Sequence, residues 1–190
     1  MIKTLSLGAL VACAAFSAAA DEFSPALQAY FEAEVMQWAN DPVIAAAIAA
    51  QNARTASLSQ SDIDEMDARW RAEVGTGNTP TITPVISGEA ADYLRARVAS
   101  SGGVITEVFA MDARGLNVAA SAVTSDYWQG DEAKFSATFP NGPGAMHIGD
   151  VEFDESSQSY QGQVSVVITD PASGKAIGAM TVGLNAEALM

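Results

Sequence analysis

At 190 residues, 49% apolar and 17% charged, the chain has the make-up of one folded domain with a sizeable core and not of a disordered tail. Its 23 acidic residues against 9 basic ones give a net charge of −14, which repels nucleic acid and anionic lipid head groups and argues against both as partners. The single cysteine, Cys13, rules out a disulfide within the chain.

The first twenty residues read as an export leader. Lys3 supplies the positive start, Leu5 to Ala15 the apolar stretch, and Ala18-Ala19-Ala20 a small-residue cleavage site. Leu10-Val11-Ala12-Cys13 has the form of a lipoprotein box, which would make Cys13 a lipidated terminus. Cleavage after Ala20 is the expectation, and it makes the net charge one unit more negative. It also leaves a mature domain, 21–190, without cysteine or thiol chemistry. No apolar run reaches the ~18 to 20 residues that a membrane span needs.

Helices come first, over 21–103. Leu27, Phe31, Val35 and Trp38 recur at helical spacing, and Asp41-Pro42 restarts a helix as cap and first residue. Ile44, Ala47, Ile48 and Gln51 continue a face to about Asn52. Ser59 caps the next helix between Leu58 and Ile63, whose apolar stripe is Ile63, Met66, Trp70 and Val74. After a Gly-, Thr- and Pro-rich break at 75–84, Ser87 is the expected cap of a third helix. Leu94 and Val98 point inward there, and Gly102-Gly103 is the stop.

From Val104 the period becomes strand-like. Strands are expected at 104–111 and 116–123 around Asp112-Ala113-Arg114-Gly115, then at an edge segment 133–139, 148–153, 160–169 and 176–184. Asp170-Pro171-Ala172-Ser173-Gly174 joins the last two. This is an α+β layout, helices and then an antiparallel sheet over 104–190. Along 160–169, Val164, Val166 and Ile168 share one face, and Gln161, Gln163, Ser165, Val167 and Thr169 the other. The alanine-rich strand 116–123 is expected to be central and to leave room above it.

The stretch Ser125 to Phe135 concentrates Tyr127, Trp128, three acids, an amide and Lys134 between strands. Aromatic walls with a few placed polar groups are how small-molecule sites are built. Tyr127, Trp128, Asp131 and Asp170 are therefore the candidate ligand-binding residues. Each also has a plainer role: aromatics close a core, Asp131 and Glu132 cap a turn, and Asp170 before Pro171 initiates one. His147 is the only histidine and has no cysteine or acidic pair at ligand spacing, so no metal site and no cofactor are expected. Asp150, Glu152 and Asp154 alternate on one face, expected to be solvated. No nucleophile elbow or phosphate-cradling loop is present, so no enzyme is expected.

Several motifs in this order resemble the Cache or PDC sensor modules, relatives of the PAS fold. They are Trp38 to Val43, Ala50-Gln51-Asn52, Ile63 to Asp67 with Trp70, Asp112 to Ala119, Asp126 to Glu132, and Thr169 to Lys175. The helical entry looks like that of small stand-alone single-Cache proteins of proteobacteria. The resemblance implies a long N-terminal helix behind a five- or six-stranded antiparallel sheet, and a ligand pocket on the opposite face. In amino-acid-binding relatives an Asp at the place of Asp170 contacts the ligand amine. Those relatives hold the carboxylate with an Arg, where this sequence offers only Lys134. The implied function is a periplasmic, non-catalytic sensor of a small molecule carrying a positive or donor group, passing its signal to a membrane-bound partner. The alternative is an interaction accessory without a small-molecule ligand.

Overall fold

The computed structural model describes residues 16–154 and 159–190. Residues 1–15, with Cys13 and most of the expected leader, lie outside the described residues. α1 (Phe16–Tyr30) runs into a wider π-helical turn at Phe31–Val35. The face read from spacing, Leu27, Phe31, Val35 and Trp38, is buried along its length. α2 (Pro42–Thr55) begins where Asp41-Pro42 places it, with the Val43 N–H donating to Asp41 at 2.9 Å.

α3 (Gln60–Glu73) opens on a reciprocal capping box. The Asp62 N–H donates to the Ser59 hydroxyl, and the Ser59 N–H to the Asp62 carboxylate. The Ser59 hydroxyl, which donates to Asp62 Oδ2 at 2.6 Å, and then the Ser59 N–H hold the Asp62 carboxyl below the usual carboxylate range. The break at 75–84 leads into a one-turn helix, α4 (Thr83–Ile86). α5 (Glu89–Ser100) starts one residue later than Ser87 suggests: Gly88 stands at the cap, and no side chain caps the helix. Among the described residues no helix is long and apolar enough to cross a membrane.

Six antiparallel strands follow: β1 (Ile105–Asp112), β2 (Asn117–Ala120), β3 (Met146–Ile148), β4 (Glu152–Asp154), β5 (Ser159–Thr169) and β6 (Ala176–Asn185). They are ordered β2-β1-β6-β5-β3, with β4 also on β5. The expected strand at 148–153 is thus split into two short edge pieces. β2 is an edge strand, not a central one, and its alanines are covered by helices. The expected edge strand at 133–139 is instead a one-turn helix, α6 (Ala133–Ser136), followed by a 3-10 turn at Phe139–Asn141. Phe135 and Phe139 stack there, with centroids 5.3 Å apart. Gly115 closes the β1–β2 hairpin at φ +79, a conformation other residues avoid.

The sheet carries a core on each face. Val108, Ala110, Val164, Val166, Ile168, Met180 and Val182 pack under α1, α2 and α5. On the other face Phe109, Met111, Leu116 and Ala179 pack with Ile63, Trp70, Ile82 and Tyr127. α2 is joined to both hairpins by two adjacent side chains. Gln51 donates to the Asp112 carboxylate and to the carbonyls of Leu116 and Asn117. Asn52 accepts from the Ala113 N–H and donates to the Ile177 carbonyl.

Candidate functional site

The second face of the sheet is filled at one end only. Toward the β1–β2 turn it is closed by Tyr127, which is buried and stacked on Trp70 with ring centroids 5.3 Å apart and planes 12° from parallel. The backbone N–H groups of Tyr127 and Trp128 both donate to Asp67 Oδ1, at 2.9 and 3.0 Å. Asp67 Oδ2 receives Arg71 at 2.6 Å, and Arg71 also pairs with Asp126 at 2.9 Å. The Trp128 indole N–H donates to the Arg114 carbonyl at 2.9 Å, and its backbone bridges to Leu116. Both aromatics thus lock the loop to α3 and to the β1–β2 turn.

Burial, reinforced by the Asp112 carboxylate nearby, pushes the Tyr127 phenol up to about 12. A tyrosine that resists ionisation when folded contributes stability below its unfolded value near 10. That contribution is lost as pH rises from there toward 12. Urea melts between pH 9 and 11.5 should therefore show a loss on the order of 2 kcal/mol that Tyr127→Phe largely abolishes. Equal pH slopes for the two proteins would refute this.

Asp131 is exposed. Asp170 Oδ1 accepts from the Ala172 and Ser173 N–H groups at 2.7 and 2.9 Å, bonds that hold its carboxyl below the usual range. It sits in the β5–β6 turn, seven residues along β5 from Gln163, or roughly 23 Å at strand rise. The structure does not bring the four candidates together: Tyr127 is core, Trp128 is a half-buried brace, Asp131 is at the surface and Asp170 holds a turn.

What lies at the other end of the face is a cleft of about 740 Å³. Its floor is Glu107 on β1 with Gln161 and Gln163 on β5. One wall is Glu132–Lys134, the far end of the aromatic-acidic stretch, and the other is residues 147–150 with Glu152 and Phe153. Asp150 and Glu152, expected on a solvated face, line its edge; the Asp154 side chain lies outside the described residues.

The floor is built across three strands. Glu107 pairs with Gly183, and Gly183 with Gln163, in one row across β1, β6 and β5. Because Gly183 has no side chain, Gln163 reaches over β6 and donates to Glu107 Oε1 at 2.9 Å. A Cβ at Gly183 would stand 2.7 Å from both Glu107 Cγ and Thr106 Oγ1. An irregularity in the pairing between Ile105 and Glu107 turns both Thr106 and Glu107 toward this lane. Thr106 donates to Gln161 at 2.9 Å. One row further along the sheet, Ser165 and Thr181 are fully buried and bonded to each other at 2.9 Å.

Lys134 completes the wall. Its ammonium pairs with Glu132 at 3.0 Å and lies 5.5 Å from the centre of the Phe109 ring, with only 17% of its side chain exposed. Sequence reading singled out Lys134 as the nearby cation, put Gln163 on the more polar sheet face and weighed His147 as a metal ligand, but missed Glu107. The available signal was one acid in the apolar run Ile105 to Met111. A second hollow of about 760 Å³ lies between α2, α5 and β2, with alanines of α2 along one side and Asp41, Arg54, Ser87 and Glu89 as its polar side chains. Among the described residues no three His, Cys, Asp or Glu side chains are grouped to hold a metal ion.

No protein-family model and no curated protein sequence matches the chain. Among solved structures, the sensor domain of the Vibrio cholerae histidine kinase DctB aligns over 91% of this chain at 12% identity, with a TM-score of 0.50. This chain spans about half of that domain, 55% of its length. The ligand-binding domain of the Campylobacter jejuni chemoreceptor Tlp3, solved with L-norvaline, aligns over 92% of this chain and 59% of its own at 12% identity, with a TM-score of 0.43. The ligand-binding domain of the Pseudomonas aeruginosa chemoreceptor PctC, solved with GABA, covers 68% and 54% at 9% identity, with a TM-score of 0.40. The DctB likeness is one of fold. The architecture is the α+β, six-stranded antiparallel arrangement of Cache/PDC-type sensor domains, as the motifs imply.

Proposed function

We propose that this chain is an exported ligand-binding sensor module that works by binding and not by catalysis. The observation that carries the reading is the cleft: a polar floor and two walls on the sheet face opposite α1, left open where the rest of that face is packed. Mixed polar and apolar concavities of several hundred Å³ are the usual seat of small molecules. In this reading the Glu132–Lys134 end of the aromatic-acidic stretch meets the ligand. Tyr127, Trp128 and Asp170 hold the frame around it, and Asp131 stands at its outer side. Ligand occupancy is then handed to a membrane-bound partner.

The test is to fill the cleft without disturbing its frame. A Cβ at Gly149 makes only ordinary contacts, the nearest 3.5 Å from the Gln163 carbonyl oxygen. Gly149→Phe should therefore fold normally and occupy the cavity. Thermal shifts are measured with amines, carboxylates and amino acids, since a ligand that binds only the folded state raises the melting temperature. At least one class should stabilise the native protein, and Gly149→Phe should abolish that shift. A shift that survives in Gly149→Phe would place binding elsewhere.

A further inference from the structure

Resting on the cleft reading, we infer that the ligand is a small organic cation, an amine or guanidinium compound, whose charged group sits against Glu107. The argument starts from charge compensation on the floor. Two basic side chains line the cleft, Lys134 and His147; the lysine ammonium is already taken by Glu132 at 3.0 Å, and the imidazole makes no ion pair among the described residues. Among the described residues, no basic nitrogen lies within ion-pair distance of Glu107. Its carboxylate instead takes one neutral hydrogen bond, from Gln163 to Oε1. A carboxylate has roughly four acceptor sites, so Oε2 and part of Oε1 stay open toward the cavity.

This carboxylate is also held in place. Gly183 leaves the lane it lies in, the pairing irregularity after Ile105 turns it there, and Gln163 fixes one oxygen. Charged groups fixed before the ligand arrives bind more tightly than mobile ones, because ordering them costs nothing on association. The rim supports the same sign. Asp150 and Glu152 stand on the wall with Phe153, an exposed ring that can face a cation. An anion would meet the uncompensated Glu107 and would have to displace Glu132 from Lys134.

Putrescine and agmatine are the cationic probes, with acetate, succinate and alanine for comparison, titrated calorimetrically into the full chain at low and moderate salt. The expected result is binding of putrescine or agmatine that weakens with salt; comparing the two separates amine from guanidinium recognition. Glu107→Gln keeps the shape and can still accept from Gln163, and should weaken binding at least tenfold with an unchanged melting temperature of the free protein. Lys134→Gln leaves Glu132 uncompensated and should tighten binding severalfold, an arm that stands even if Glu107→Gln folds poorly. A cation whose affinity is unchanged in Glu107→Gln would overturn the assignment. If acetate, succinate or alanine binds instead and Gly149→Phe abolishes it, the cation is overturned while the cleft stands. If no probe binds the native protein, both fall.

Discussion

Replacing Asp112 by alanine is expected to destabilise the fold by about 3 to 5 kcal/mol, the largest loss from any single polar side chain here. Asp112 is fully buried and receives four donors: the Gln51 amide at 3.1 Å, the Thr55 hydroxyl at 2.8 Å, and the N–H groups of Arg114 at 2.8 Å and Leu116 at 3.0 Å. Alanine strands the two backbone N–H groups and leaves Gln51 and Thr55 with carbonyl partners only, in a place where water cannot easily replace the carboxylate. At about 2 to 4 °C per kcal/mol for a domain of this size, the melting temperature should fall by about 10 °C. Asp112→Asn separates shape from charge. Its carbonyl can still serve the two backbone donors, while its NH₂ faces Gln51 and Thr55. That variant should lose about 1 to 2 kcal/mol. A urea midpoint for Asp112→Ala within error of the native value would show that the turn does not depend on this carboxylate.

Trp70→Ala comes next, at about 3 to 5 kcal/mol. The indole is fully buried, stacks on Tyr127 and donates to the Thr124 carbonyl at 2.8 Å. Its loss opens a cavity under the loop that runs on to Glu132 and Lys134. Weakened binding of a cleft ligand should accompany the lost stability. Trp70→Phe keeps a ring against Tyr127 but drops the hydrogen bond and some volume, and should cost about 1 to 2 kcal/mol. Chemical denaturation of both variants, with ligand titration of Trp70→Phe, checks the pair. Full stability in Trp70→Ala would mean that the loop is held by the Asp67 bonds alone.

The helices and the β5–β6 hairpin were legible because their signals are local: Asp41-Pro42, the Ser59 cap between Leu58 and Ile63, and alternation from Val164 to Ile168. The segment 133–139 was not. Ala133, Phe135, Ala137 and Phe139 alternate as a strand would, yet Phe135 and Phe139 are also four apart, as a helical turn requires. A seven-residue window cannot separate those periods. β2 stops early because the Ser121 hydroxyl, not a backbone carbonyl, accepts the Val108 N–H at 2.9 Å.

The motif residues proved to be joints of the fold. Gln51 and Asn52 meet the Asp112 turn, and Asp67 and Trp70 meet Tyr127 and Trp128. Aromatic and acidic density therefore marked where the chain is fastened, and the open cleft lay at the other end of the face. That cleft was hidden because Glu107 and Gln163 are 56 positions apart and touch only once β6 is threaded between them. Strand order is a global property, and no window of sequence carries it.

The lane over Gly183 has a consequence for how specificity could change over time. Glu107 with Gln163, and Thr106 with Gln161, are side-chain pairs laid across the sheet. The strand ladders beneath them use backbone atoms alone. Charge at these four positions can be inverted or erased while the sheet keeps its own bonds. Glycine at 183 is the one position that must not drift, since any side chain there closes the lane for every pair. One frame with a fixed gap and exchangeable occupants can be retuned to a new ligand by two or three substitutions, without passing through an unfolded intermediate.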